Sequence, residues 1–220
     1  MFDQAKAALP VIACALSFAA SRCPAQAPLR DHAGRWRYGG EVGGVLGGTW
    51  LSGPSSPSVV TGTGASLSVD VQRSASARVN AGGALRVMAQ PVRLREARTQ
   101  WDGGTLTVAQ AMAIVDVAMH RGHRADAHVE LGGGLSLLSG ARSVYPFSSA
   151  ARVTPTTEVG ILLERVTHGD AALSRWPLGL SVRYSVARVA PGSSPTTAID
   201  GTRASAGWVG RTTIGLRVKR

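Results

Sequence analysis

The sequence predicts an all-β fold in which eight antiparallel strands follow one another up and down and close a barrel. Apolar and polar residues alternate with a period of two along most of residues 35–220, as in strands whose two faces meet unlike surroundings. Short polar or glycine-containing links, such as residues 73–76, separate successive runs. The number of runs is even, which lets both chain termini lie on the same side of the barrel.

The elements follow in chain order. The first three strands are predicted at residues 35–51, 59–71 and 77–87. Residues 105–119 form the fourth and weakest strand, because their pattern also suits a helix, but the flanking Asp102, Gly103 and Gly104 favour a strand. The last four strands are predicted at residues 124–137, 157–164, 178–186 and 208–218.

The connections predict which end of the barrel is which. Short turns gather at one end, and longer loops are predicted at the other, at residues 90–104, 139–154 and 189–204. That layout is typical of transmembrane β-barrels, which have short periplasmic turns and longer extracellular loops.

The first residues read as an export signal. Lys6 precedes the apolar stretch 9–20, and Ala25-Gln26-Ala27 offers a small-x-small cleavage site. The predicted organisation is therefore a signal peptide over residues 1–27, a short periplasmic segment over 28–34 and the barrel over 35–220. Cys14 and Cys23 both fall within the signal, so the mature chain is expected to have no disulfide and no thiolate site.

The charges predict which face of each strand meets lipid. Glycines crowd the polar face beside the arginines, and the interior of an eight-stranded barrel is only just wide enough for side chains. The charged face is therefore predicted to line the lumen and the apolar face to meet lipid, as in a transmembrane barrel. Ion pairs are predicted to plug that lumen, chiefly among Glu41, Arg78, Arg86, Glu130, Glu158, Arg183 and Arg211.

Aromatic residues at strand ends predict two interfacial girdles. Tyr38 and Trp50 lie on one face, roughly 40 Å apart along a strand and about 30 Å apart along the membrane normal at a tilt near 40°. The residues predicted at the membrane interface are Trp36, Tyr38, Trp50, Trp176 and Trp208.

With its signal peptide, eight amphipathic strands and glycine-rich charged lumen, the chain resembles the small outer-membrane β-barrel proteins of the OmpA/OmpX type. The resemblance covers residues 35–220 and is architectural. It implies a monomer in the outer membrane, in contact with lipid and lipopolysaccharide and inserted by the barrel-assembly machinery. Such barrels usually end in an aromatic residue, whereas this sequence ends Leu216-Arg217-Val218-Lys219-Arg220.

One cluster contains ligands of the kind that zinc prefers: His120, His123, Asp126, His128 and Glu130. The competing interpretation is a wet turn followed by members of the lumen network, and Arg121 and Arg124 would repel a cation. No metal and no cofactor are therefore predicted. The sequence contains neither a Gly-x-Ser-x-Gly elbow nor a His-Glu-x-x-His motif, and no enzyme activity is expected.

The net charge of +11 raises the question of an anionic partner. Nucleic-acid binding is not expected, because the arginines are spread over every strand instead of forming one patch with stacking aromatics. The exception lies in the predicted loop 90–104, where an outward-facing group would contact lipopolysaccharide or an acidic surface partner: Arg93, Arg95, Arg98 and Trp101. The alternative is a loop that is merely solvated.

A rival interpretation is a soluble, exported, lipocalin-like barrel that carries a small apolar ligand. It reverses the two faces, so the charged face would be wet and the barrel interior apolar. It would bury the side chains of Val59, Leu67, Leu135, Ile161, Leu180 and Ile214.

Overall fold

A computed structural model describes residues 34–51, 58–96, 99–122, 125–141, 152–165, 178–189 and 207–219. These residues form ten strands, and the all-β prediction is confirmed, including the strand at 105–119. Among them there is no helix with the length and apolar character needed to cross a membrane. The strands are β1 (Trp36–Val45), β2 (Gly48–Leu51), β3 (Ser58–Thr61), β4 (Gly64–Ser74), β5 (Val79–Glu96), β6 (Thr99–Arg121), β7 (Ala125–Ala141), β8 (Arg152–Arg165), β9 (Leu178–Val189) and β10 (Gly207–Lys219).

Eight of the strands close a ring in the order β1, β4, β5, β6, β7, β8, β9, β10. Every neighbouring pair is antiparallel, and β1 pairs with β10 from Gly39 opposite Lys219 to Val45 opposite Thr213. The predicted eight-stranded antiparallel barrel is therefore confirmed. We call the end with the start of β1 and the turn at 75–78 the turn end, and the opposite end, with the tip of β5–β6, the hairpin end.

The first two predicted strands are each interrupted near the hairpin end. Residues 46 and 47 separate β1 from β2, and residues 62 and 63 separate β3 from β4. The Gln90 side chain spans both interruptions, since its Nε2 donates to the carbonyls of Leu46, at 3.2 Å, and Gly62, at 3.3 Å. The interruption also reverses the faces of the second strand: Val59 points inward, whereas Leu67 points outward.

The outer wall is apolar. Outward side chains include Val42, Val69, Leu85, Leu131 and Leu216, all exposed. Of the six residues that a soluble barrel would bury, only Val59 is buried, at 2% exposed, and the other five are 41–56% exposed. The two faces are therefore arranged as in a transmembrane barrel, as predicted.

The predicted loop at 90–104 is wrong. β5 and β6 stay paired from Arg93 opposite Asp102 to Glu96 opposite Thr99, with a register shift beside Val92. Gly104, at φ +83°, takes the left-handed conformation that this irregularity requires. The period-two alternation of Val92 and Leu94 with arginines already contained this strand, but Asp102, Gly103 and Gly104 were taken as the start of the next one.

The predicted gathering of long loops at one end is only partly correct, since residues 142–151 and 190–206 both connect strands at the hairpin end. Only residues 97 and 98 separate β5 from β6 at the hairpin end, whereas 166–177 separate β8 from β9 at the turn end. The signal peptide at 1–27, most of segment 28–34, and residues 142–151 and 190–206 of the other two predicted loops lie outside the described residues.

Candidate functional site in the barrel lumen

Because polar and apolar residues alternate along each strand, the charged side chains point into the lumen, where they are almost fully buried. Seven of them, from seven strands of the ring, form one group that we call the central ion-pair cluster: Glu41, Asp70, Arg86, Glu130, Glu158, Arg183 and Arg217. Charges that have left water are tolerated only when they are paired and hydrogen-bonded, and the cluster meets that requirement across the lumen.

Glu130, on β7, is the centre of this cluster. Its Oε1 accepts from Arg86 Nη2 at 2.7 Å and from Arg183 Nε at 2.9 Å, and its Oε2 lies 3.3 Å from Arg217 Nη1. Three arginines from β5, β9 and β10 therefore converge on one carboxylate.

The same arginines reach the other acids of the cluster. Arg86 bonds Glu158, Arg183 bonds Glu41, and Arg217 Nη2 lies 2.6 Å from Asp70 Oδ2. Since β5 and β8 are three places apart in the ring, the Arg86–Glu158 pair joins strands that share no backbone hydrogen bonds.

A second group lies nearer the turn end, and we call it the turn-end ion-pair cluster: Asp116, His128, Glu164 and Lys219. Lys219 Nζ is 2.9 Å from Asp116 Oδ2 and 3.3 Å from Glu164 Oε1. His128 Nδ1 is 2.8 Å from Asp116 Oδ1. This cluster ties β10 to β6 and β8, because Lys219 contacts acids on both.

Towards the hairpin end, large aliphatic side chains point into the lumen. Eight buried side chains from six strands pack there as one group, which we call the apolar cluster: Val45, Val59, Met88, Val92, Leu106, Val108, Leu138 and Val209. β6 contributes to this cluster because its large aliphatic side chains point inward and its alanines point outward. This reverses the usual arrangement of the other strands, and the helix-like sequence pattern of β6 concealed it. The sequence analysis missed this cluster.

The structure brings together five of the seven residues predicted for the lumen network: Glu41, Arg86, Glu130, Glu158 and Arg183. Arg211 is also buried in the lumen, in the β8–β9–β10 row that contains Ser185 and Glu158.

Arg78 was wrongly assigned to the lumen. It is exposed in the turn, where Ser76 Oγ accepts hydrogen bonds from the amides of Arg78 and Val79, so β5 begins only at Val79. Asn80 is the first inward residue of that strand.

The chief members predicted for the network did not include Asp70, Asp116, Glu164, Arg217 and Lys219, although the first four belong to the charged face that was predicted to line the lumen. The period-two signal that could have found them was present, since each lies on the polar face of its strand. Which of these charges meet across the lumen depends on the closure of the ring and on the stagger of the strands.

The histidine cluster considered for a metal is dispersed. His128 bonds Asp116, Glu130 is surrounded by arginines, and Asp126 accepts from the Gly122 amide at 3.2 Å. His120 is exposed and His123 lies outside the described residues. In the part of the chain that the structure describes, no three His, Cys, Asp or Glu side chains are placed to hold a metal ion.

Two of the predicted interface aromatics have described side chains. Trp36 and Tyr38 point outward at the turn end, 57% and 55% exposed, and the Arg73 guanidinium lies 5.9 Å from the centre of the Trp36 ring. Trp50 and Trp208 lie on strands β2 and β10, and Trp176 is outside the described residues.

Three of the four residues proposed for surface contact lie on the paired tip of β5–β6. Arg93 and Arg95 are exposed and continue the outward face of β5 above Leu85 and Val87. Trp101 is exposed on β6 opposite Leu94, and Arg98 is outside the described residues.

No protein-family model matches the chain, and neither does any curated protein sequence. The chain is similar in fold to solved structures. Neisserial surface protein A is 9% identical (84% of this chain, 95% of that one, TM-score 0.46). OprG from Pseudomonas aeruginosa is 10% identical, and the match covers 86% of this chain and 97% of that one with a TM-score of 0.48. Ail of Yersinia pestis, in complex with the heparin analogue sucrose octasulfate, is 11% identical (84% and 99%, TM-score 0.43). The barrel assignment rests on this chain's own strand register.

Proposed function

We propose that the protein is a bacterial outer-membrane β-barrel with a closed lumen, whose role is structural, adhesive or surface-interacting. The observation that carries the proposal is the arrangement of its two faces. The outer wall presents apolar side chains around the ring, and the charges turn inward, the arrangement that lipid as a solvent requires.

Two clusters of different chemistry, one after the other along the barrel axis, support the proposal that the lumen is closed. The central ion-pair cluster crosses the middle of the barrel, and the apolar cluster fills the hairpin end. Hydrated ions would have to displace paired charges and then cross an apolar constriction, and such a constriction opposes wetting. The role we propose is therefore not that of a large pore, and we propose no enzyme activity.

The surface role is assigned to the hairpin end. The exposed Arg93 and Arg95 stand above the apolar wall of β5, where they would meet lipopolysaccharide phosphates or an acidic surface partner. Insertion would require the barrel-assembly machinery, and the chain would act as a monomer.

The test is far-ultraviolet circular dichroism of the chain diluted from urea, once into buffer and once into detergent micelles. Strong β signal is expected only with micelles, because the exposed apolar wall needs a lipid-like solvent. A cooperative β fold in buffer alone would overturn the proposal in favour of a soluble ligand carrier.

A further inference from the structure

Two lipid-facing columns of side chains end in arginine at the turn end. On β4 the outward residues Leu67, Val69 and Val71 are followed by exposed Arg73. On β8, Ile161 and Leu163 are followed by exposed Arg165. β4 and β8 are four places apart in the ring of eight, so the two arginines lie on opposite walls.

The apolar wall also ends in outward arginines at the hairpin end. The distance between the arginines at the two ends therefore gives the height of the apolar wall. Arg73 is paired with Ala81, and Arg93 lies 12 residues further along β5, or roughly 40 Å along the strand and about 30 Å along the barrel axis. The same measurement applies to β8 and β9, where Leu163 is paired with Leu180. Counted from this pair, the distance from Arg165 on β8 to Arg188 on β9 is about 25 Å along the axis. Both values are close to the apolar band of about 25 Å in transmembrane barrels.

The surroundings of Arg73 are those of a membrane interface. Its guanidinium lies over Trp36, and the neighbouring Tyr38 is outward and exposed. Tryptophan and tyrosine concentrate at the headgroup level of membranes, where arginine side chains also extend towards phosphates.

Among the described residues, positive charge dominates this end outside the lumen. Five described arginines are exposed there: Arg35, Arg73, Arg78, Arg121 and Arg165. Outside the two ion-pair clusters, Asp126 is the acidic residue that the structure describes at this end. Its side chain is half-buried and accepts a hydrogen bond from the Gly122 amide. An anionic surface is therefore the complementary partner.

We propose that Arg73 and Arg165 bind the phosphates of anionic phospholipids in the leaflet at the turn end, and so hold the barrel at a fixed depth. The proposal rests on the proposed function, because it needs a membrane around the apolar wall. A guanidinium bonds a phosphate through two parallel N–H groups, which gives each site a defined position.

The experiment is native mass spectrometry of the chain refolded in micelles, with phosphatidylglycerol or phosphatidylcholine added. The variant R73Q/R165Q is compared with R35Q/R78Q, which removes the same charge from exposed arginines at the same end that lie outside the two lipid-facing columns. R73K/R165K keeps the charge and removes the paired N–H groups. Circular dichroism in micelles verifies that each variant is folded.

The unaltered chain should retain phosphatidylglycerol in preference to phosphatidylcholine. R73Q/R165Q should bind it about fivefold more weakly for each arginine removed, R35Q/R78Q should bind as the unaltered chain does, and R73K/R165K should lie between them. Equal losses in both glutamine variants, or no preference between the lipids, would overturn the proposal. A chain that folds in buffer without micelles would instead overturn the proposed function.

Discussion

Glu130 is the residue on which most of the lumen electrostatics converge. It is buried among Arg86, Arg183 and Arg217, and each of these arginines also contacts a different acid. Removing the Glu130 charge would leave three guanidinium groups short of a partner in a site that water reaches poorly. Exposed charges, by contrast, contribute little, because solvent screens them.

We predict that Glu130→Gln lowers the free energy of unfolding in micelles by about 3–5 kcal/mol, since breaking a buried ion pair leaves uncompensated charge. Urea titration followed by circular dichroism measures it. Asp102→Asn removes one negative charge from the exposed tip of β5–β6 and should change stability by less than about 1 kcal/mol. Equal effects of the two substitutions would contradict a network centred on Glu130.

At the scale of the element, β7 shows how glycine lets neighbouring strands approach. A Cβ on Gly134 would lie 2.8 Å from the Cα of Met112 and even closer to the carbonyl oxygen of Ala111, both on β6. The adjacent Gly133 faces outward, and a Cβ there would meet nothing within 4 Å. The same pair of strands therefore contains one position that needs glycine and one that does not.

Gly134→Ala should destabilise the barrel by about 1–3 kcal/mol, because the new methyl group would meet backbone that cannot move without disturbing the β6–β7 register. Gly133→Ala should have an effect near zero. Urea titration in micelles compares the two, and a similar loss at Gly133 would show that glycine is needed there for some reason other than strand approach.

The elements also show how far the sequence could predict the structure. Strands such as β7 and β9, whose faces alternate without interruption, were predicted with their faces correct. β3 was not, because the interruption at residues 62 and 63 reverses its faces and sends Val59 inward. The pattern identifies the faces of uninterrupted strands, but contacts such as Arg217–Asp70 depend on the closed ring, which no local pattern contains.

At the scale of the whole molecule, the lumen changes in character along its axis. The turn-end ion-pair cluster, the central ion-pair cluster and the apolar cluster follow one another from one end to the other. Two of these layers oppose ions through paired charge and the third through tightly packed aliphatic side chains. Their combined effect should exceed that of any one of them.

We predict that the unaltered barrel shows no steady conductance in a planar bilayer, and that neither Arg183→Gln nor Leu106→Ser alone opens it, because each leaves another layer intact. The variant that combines Arg183→Gln, Lys219→Gln and Leu106→Ser should conduct, since the first two substitutions disturb the two charged layers and the third makes the apolar layer easier to wet. Current recordings at matched protein insertion test this. Steady conductance in either single variant would show that the lumen depends on one layer only.

The seam between β1 and β10 has a consequence for the order of assembly. β10 supplies Arg217 and Lys219, whose side chains reach Asp70, Asp116, Glu130 and Glu164 on four other strands. Until β10 docks, those carboxylates lack these partners, so an open sheet lacks the ion pairs that Arg217 and Lys219 add to the finished wall. A mispaired last strand would therefore lose contacts to four other strands at once.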